Sequence, residues 1–245
     1  MVSRRDQDAA FQSYTVVAAT LASPIPDHLT YERAVVLPLG LSTAAAGLFE
    51  HDLLNLQHPA HPQAKPTGKT VLVWGGASSV GSNAIQLAVA AGYEVYTTAS
   101  AKNFAYVKEL GAVGVFDYNS PTVVDDLVDA LKGKTLAGGI DCIGPSATAP
   151  TVEVVRRSEG VKFVATANGG LDDKMVGVKM IMAPSVKDSG VGKVVYEDFL
   201  PKALEAKSYV AAPEPLVVGT GLECVQEAVD LHAKGISARK VVVLL

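Results

Sequence analysis

The stretch Thr70-Val71-Leu72-Val73-Trp74-Gly75-Gly76-Ala77-Ser78-Ser79-Val80-Gly81 constrains this chain more than any other. An apolar run stops at two glycines, and small residues lead on into Asn83-Ala84-Ile85-Gln86-Leu87-Ala88-Val89-Ala90. That pattern reads as strand, tight turn and helix. Gly76 and Gly81 hold the places of the first and third glycines of a dinucleotide-binding turn, the first for a sharp turn and the third for close packing of helix on strand. Ser78 takes the middle place, where its Cβ crowds an approaching pyrophosphate and its hydroxyl offers a hydrogen bond. The first N–H groups of the helix and the positive end of its dipole supply the anion site. The same residues would also serve a turn that binds nothing, so the rest of the chain must decide.

Beyond residue 70 the chain alternates regularly. Strands are expected at Glu94 to Thr98, Val113 to Phe116, Ala137 to Cys142 and Val161 to Ala165, with helices between them at Lys102 to Leu110, Pro121 to Leu131 and Ala147 to Arg157. Short buried strands separated by helices of about ten residues form a parallel sheet with right-handed crossovers, and its binding crevice lies at the carboxyl ends of the strands. After Gly169-Gly170 the pattern loosens into a strand at Val176 to Met182, a helix at Val194 to Ala206, a strand at Pro215 to Val218, a helix at Leu222 to Ala233 and a last strand from Lys240. Upstream, Phe11 to Val17 reads as a strand. A short helix over Tyr31 to Leu37 is expected to end at Pro38-Leu39-Gly40, and a second helix to run from Ser42 to about Leu54. Gln57 to Gly68, with three prolines, is a loop.

Composition narrows the partners. Of the 245 residues, 49% are hydrophobic and 19% charged, and the mean hydropathy is +0.25. A chain of this length buries roughly 70–75% of its unfolded surface. No apolar run approaches the roughly 18 residues of a membrane helix, so the apolarity is assigned to a core or a buried contact surface, and no membrane partner is expected. The net charge is −4 and the basic residues do not cluster, which argues against nucleic acid. Met1 to Asp8 is polar with no signal-type apolar segment behind it, and Cys142 and Cys224 lie far apart. These features point to the reducing cytosol, with neither a disulfide framework nor a zinc cluster. His58 and His61 sit in the proline-rich loop without acidic or sulfur neighbours, so no metal is expected there.

The strand ends test the dinucleotide idea. About 20 residues past the turn, an NAD site places Asp or Glu against the adenosine ribose. This chain has Thr97-Thr98-Ala99-Ser100-Ala101-Lys102-Asn103, whose hydroxyl, ammonium and amide suit a 2′-phosphate, so NADPH is favoured over NADH. The plain alternative is that Ser100 caps the next helix and Lys102 is a solvated charge. Tyr118 can lie against adenine or be an ordinary strand-end aromatic. Asp141-Cys142-Ile143-Gly144 and Val164-Ala165-Thr166-Ala167 close the fourth and fifth strands, where the nicotinamide half would lie. Cys142 reads as a small buried hydrophobe, since no histidine is placed to activate it.

Taken together, these residues resemble the zinc-independent branch of the medium-chain dehydrogenase/reductases, close to fungal trans-enoyl reductases and quinone-oxidoreductase-like proteins. The matching stretches are Phe11-Gln12-Ser13-Tyr14, Ile25-Pro26-Asp27, Leu41-Ser42-Thr43-Ala44, Trp74 to Gly81, Ser100 to Asn103, Leu110-Gly111-Ala112, Phe116-Asp117-Tyr118 and Lys240 to Val243. They span nearly the whole chain in the family's order. The resemblance implies a doubly wound Rossmann sheet plus a remnant of a GroES-like β-barrel, most of which lies upstream of the motif at Phe11. It divides the chain into 1–41 as barrel remnant, 42–207 as the NADP-binding domain and 208–245 as the return to the barrel.

It also implies NADPH contacts from Ala77, Ser78, Ser79 and Val80 to the pyrophosphate, from Ser100, Lys102 and Asn103 to the 2′-phosphate, and from Tyr118 to the adenosine. The same resemblance implies that Thr43 and Thr166 face the nicotinamide. The implied reaction is reduction of an activated double bond, or a quinone, by hydride transfer, with a small-molecule substrate and a homo-oligomer or a partner synthase as the expected associations. No residue is nominated as proton donor or other catalytic group. A cofactor-binding module without turnover is the competing reading.

Overall fold

The computed structural model describes residues 14–169 and 171–245. The expected strand over 11–17 therefore falls partly outside the described residues, and Tyr14 to Val17, which are described, form no strand. From residue 70 the expected alternation is present. Strands β1 (Thr70–Trp74), β2 (Glu94–Ala99), β3 (Gly114–Asp117), β4 (Leu136–Asp141), β5 (Phe163–Thr166) and β6 (Gly177–Met180) form one sheet in the order β3-β2-β1-β4-β5-β6. Every pairing is parallel. Val71, Leu72 and Val73 have no exposed surface, as expected of a central parallel strand covered on both faces. The strand order reverses between β1 and β4, whose last residues, Trp74 and Asp141, stand side by side. In a doubly wound sheet this is where a ligand crevice opens.

Helices α3 (Ser79–Ala90), α4 (Phe104–Glu109), α5 (Val123–Ala130) and α6 (Pro145–Arg157) connect these strands. Two apolar clusters lie on opposite faces of the sheet. Leu72, Trp74, Leu127, Val152 and Val155 belong to one, and Val71, Val73, Ile85, Leu87, Leu41 and Leu48 to the other. A chain segment that is π-helical over Lys193–Phe199 continues directly into α7 (Leu200–Glu205), and it adds Val195, Phe199 and Leu204 to the second cluster.

The upstream helices differ from expectation. The first, α1 (Tyr31–Ala34), is shorter, and α2 (Pro38–Phe49) begins at the residue expected to stop it. Proline suits the first helical position because its missing N–H would have no partner there and its φ is already helical. Tyr31–Phe49 taken together is 19 residues of mean hydropathy 1.2, which corrects the expectation that no segment is long and apolar enough to cross a membrane. It is 61% buried inside the protein, and Leu41, Ala44, Ala45 and Leu48 are fully covered, as in a core helix.

Downstream, β7 (Glu214–Thr220) and β8 (Arg239–Leu244) pair in parallel, joined through α8 (Val225–Ala233) and separate from the main sheet.

Candidate dinucleotide site

At the turn after β1 the left-handed residue is Gly75, with φ of 83°, so the sharp turn expected at Gly76 falls one residue earlier. Gly76 is needed for a different reason. A Cβ there would stand 2.2 Å from Thr97 Oγ1, and Thr97 is held in place by donating to the Val73 carbonyl at 2.6 Å. Gly81 acts as expected, since a Cβ would come within 2.2 Å of the Gly75 carbonyl oxygen. Thr98 closes the turn from β2, accepting from the Gly75 N–H on its hydroxyl at 2.9 Å and from the Gly76 N–H on its carbonyl at 2.8 Å.

Ser78 is the N-cap of α3, its Oγ accepting from the Gly81 N–H at 3.0 Å. The N–H groups of Ser79 and Val80, the first two of the helix, have no acceptor among the described residues. Ala77, Ser78, Ser79 and Val80 are all half-buried, so these donors face the crevice mouth and can take an anion. The start of α2 abuts the same corner, because a Cβ on Gly40 would lie 2.7 Å from the Ser79 carbonyl oxygen. Thr43 stands one turn further along α2, half-buried, with its hydroxyl donating to Leu39 O at 2.8 Å.

Beyond β2, Ser100, Lys102 and Asn103 share one short turn. Ser100 precedes the short 3₁₀ turn Ala101–Asn103 without capping it through its side chain. Instead its Oγ accepts from Asn103 Nδ2 at 3.1 Å. Lys102 is exposed and has no ion-pair partner among the described residues. A residue that the sequence alone does not single out joins them: Ser237, whose Oγ accepts from the same Nδ2 at 3.0 Å. It sits in Gly235-Ile236-Ser237-Ala238, a small-residue turn with no motif to mark it. Tyr118, just past β3, is 49% exposed, in keeping with a ring free to stack.

At the ends of β4 and β5 the arrangement is closed. Asp141 has no exposed surface, and its carboxylate accepts four hydrogen bonds. Oδ1 takes the N–H groups of Ile143 at 2.9 Å and Gly144 at 3.0 Å, while Oδ2 takes the hydroxyls of Thr148 at 2.7 Å and Thr166 at 3.1 Å. Thr166, expected to face the nicotinamide, is fully buried and its hydroxyl is committed to Asp141. Burial, and then the Asp141 charge beside it, push the Cys142 thiol well above its ordinary value, which makes it inert.

His58 lies edge-on to Phe49 and His61 shares a hydrogen bond with Ser208, so the two take different partners. Glu50, His51 and Asp52 could bring ligand atoms together. However, Glu50 already accepts from Ser185 and Ser189 at 2.9 and 2.7 Å, and Asp52 is paired with Lys179.

The family model for zinc-binding dehydrogenase matches residues 79–206, from the fingerprint helix to the end of α7. The chain belongs to that family. A zinc-binding alcohol dehydrogenase domain-containing protein, cipB of Emericella nidulans, is 55% identical over 246 residues, which are all of this chain and 70% of its own length. The trans-enoyl reductase himH of Aspergillus japonicus is 41% identical over 247 residues, covering 99% of this chain and 71% of its own. Among solved structures, the CurK enoyl reductase superposes with a TM-score of 0.70 at 20% identity, over 90% of this chain and 64% of that one. This member of the zinc-binding dehydrogenase family is thus a medium-chain dehydrogenase/reductase, an oxidoreductase class that uses nicotinamide dinucleotides, as the sequence resemblance implied. It spans about 70% of the length of these curated relatives.

Proposed function

We propose that this chain is an NADPH-dependent reductase of activated carbon–carbon double bonds, in enoyl thioesters or enones, or of quinones. The observation that carries the proposal is the group beyond β2: Ser100, a Lys102 without an ion-pair partner among the described residues, and Asn103, where a carboxylate would select NADH. The residues present fit the cofactor. Ser79 and Val80 offer free N–H groups at the positive end of a 12-residue helix, Lys102 offers an unpaired charge, and Tyr118 offers an exposed ring. When bound, the nicotinamide supplies hydride to an electron-poor carbon of the acceptor. The chain's own part is to fix the phosphates at α3 and beyond β2, while the Asp141 network holds the ends of β4 and β5 rigid beside them.

The acceptor is read as a small molecule, and the relative named a trans-enoyl reductase favours an enoyl group over a quinone. In this reading 1–41 and 208–245 are parts of a GroES-like unit around the 42–207 cofactor domain, no zinc takes part, and the protein works in the cytosol.

A second reading, a cofactor-binding module without turnover, is favoured by one feature. The side chains of Asp141, Thr148 and Thr166 at the ends of β4 and β5 are satisfied by one another and by nearby backbone, which leaves none of these three aimed at an acceptor. One experiment separates the two: calorimetric titration with NADPH and NADH, followed by NADPH consumption over a panel of enones, enoyl thioesters and quinones. Tighter NADPH binding with turnover supports the reductase, and binding with no turnover on any acceptor supports the module. Equal affinity for the two nucleotides overturns the cofactor assignment.

A further inference from the structure

We infer that Ser237 is a specificity residue for the 2′-phosphate, and that Asn103 is a positioning residue that aims two serine hydroxyls at it rather than contacting it. The inference rests on the NADPH reading above. It follows from the direction of the hydrogen bonds. An amide nitrogen carries two donor hydrogens, and a hydroxyl has one donor and two acceptor sites. Asn103 Nδ2 donates to Ser100 Oγ at 3.1 Å and to Ser237 Oγ at 3.0 Å, so both its hydrogens are used. Each serine receives from Asn103 and donates to no atom of the described residues, so each keeps its own proton for a ligand. The amide expected to bind phosphate is thus consumed, and two hydroxyl donors stand on either side of it next to Lys102.

The turn that presents Ser237 supports a role beyond filling space. Ala238, the next residue, has φ of 52° and Gly235 has φ of 89°. A left-handed alanine is unfavourable and persists where the surroundings hold it. Ser237 itself is exposed, so its hydroxyl contributes little to the core, and it comes from a segment 134 residues away from Asn103. The outcome is a cofactor-selecting group built from two parts of the chain, β2 with its following turn and the approach to β8.

The test is calorimetric binding of NADPH, NADH, 2′,5′-ADP and 5′-AMP to the unaltered chain and four variants, Ser237→Ala, Ser237→Thr, Asn103→Asp and Lys102→Ala. Ser237→Ala should weaken NADPH and 2′,5′-ADP by about tenfold, the loss of one charge-assisted hydrogen bond, and leave NADH and 5′-AMP unchanged. Ser237→Thr, which keeps the hydroxyl, should restore wild-type binding. Asn103→Asp should abolish the preference for the 2′-phosphate, because a carboxylate would accept both serine protons and repel the phosphate.

If Ser237→Ala weakens all four ligands equally, or none, Ser237 is only a clip between the two segments and the inference is overturned. If Lys102→Ala narrows the NADPH preference while Ser237→Ala does not, this inference alone falls. If the unaltered chain has no preference, the NADPH reading falls with it.

Discussion

The two ends of the crevice solve opposite problems with similar residues. At the end proposed for the adenosine, Ser100, Lys102 and Ser237 are exposed or half-buried and keep donor capacity free, while the Asn103 amide holds the two serines. At the other end, Thr148, Thr166 and the N–H groups of Ile143 and Gly144 are turned inward onto one buried carboxylate, Asp141. Free donors near the surface cost little, since water satisfies them until a ligand arrives. Unmatched donors inside the protein are expensive, at about 1–3 kcal/mol each. A hydroxyl at a strand end is therefore left with a free donor in one place and tied into a structural network in the other, and burial decides which.

The contrast is most exposed to test at Asp141. Removing the carboxylate in Asp141→Ala would leave the N–H groups of Ile143 and Gly144 unmatched and leave the Thr148 and Thr166 hydroxyls only their longer bonds to Gly144 O at 3.1 Å and Asn168 O at 3.3 Å, and stability should fall by roughly 2–5 kcal/mol in urea denaturation. A loss below about 1 kcal/mol would show that this end is not the rigid one. Next in size is an alkaline effect at the start of α2. Tyr196 is held there between Ser42 Oγ at 2.7 Å and Pro38 O at 3.0 Å. Burial pushes its phenol up to about 12. The folded state keeps a proton that the unfolded chain releases near its ordinary value of about 10. Stability is therefore complete below about pH 10 and lost as pH rises from there to about 12, by about 2–3 kcal/mol for this group. Tyr196→Phe should flatten that fall, and an unchanged alkaline limb would remove Tyr196 from the account.

The adenosine end should behave in the reverse manner. Lys102→Ala is expected to leave the melting temperature unchanged and to weaken NADPH by about tenfold without touching NADH; a loss of stability would blur the contrast. The smallest effect is expected at Cys142. A thiol reagent should label Cys224 in the native protein and reach Cys142 only on unfolding, and Cys142→Ala should leave NADPH binding within about twofold. Native labelling of Cys142 would show that the end of β4 opens.

Much of the fold is legible in the sequence because its signals are local. The apolar run into Gly75-Gly76, the following helix and the repeated spacing of short strands each depend on neighbours in sequence, and the doubly wound sheet matches them strand for strand. Expectation and structure part where a residue type has two uses. Pro38 reads as a stop because proline breaks helix interiors, whereas it starts α2, where its lost N–H costs nothing. The left-handed position falls on Gly75 rather than Gly76, and a Cβ would be crowded at either, by Ile143 at the first and by Thr97 at the second, so both must be glycine and residue type alone does not tell their conformations apart.

Within the candidate site, the sequence by itself determined the glycine turn, the small-residue start of α3 and the absence of an acid after β2, because each is a matter of residue type at a set distance along one strand–turn–helix unit. Only the tertiary structure decided that Thr166 is spent on Asp141 and that Ser237 stands beside Asn103. The partners of both hydroxyls lie on other strands or segments, 25 residues away for the first and 134 for the second. Whether a hydroxyl is free or committed depends on that distant partner and on burial, neither of which is written in the residues next to it.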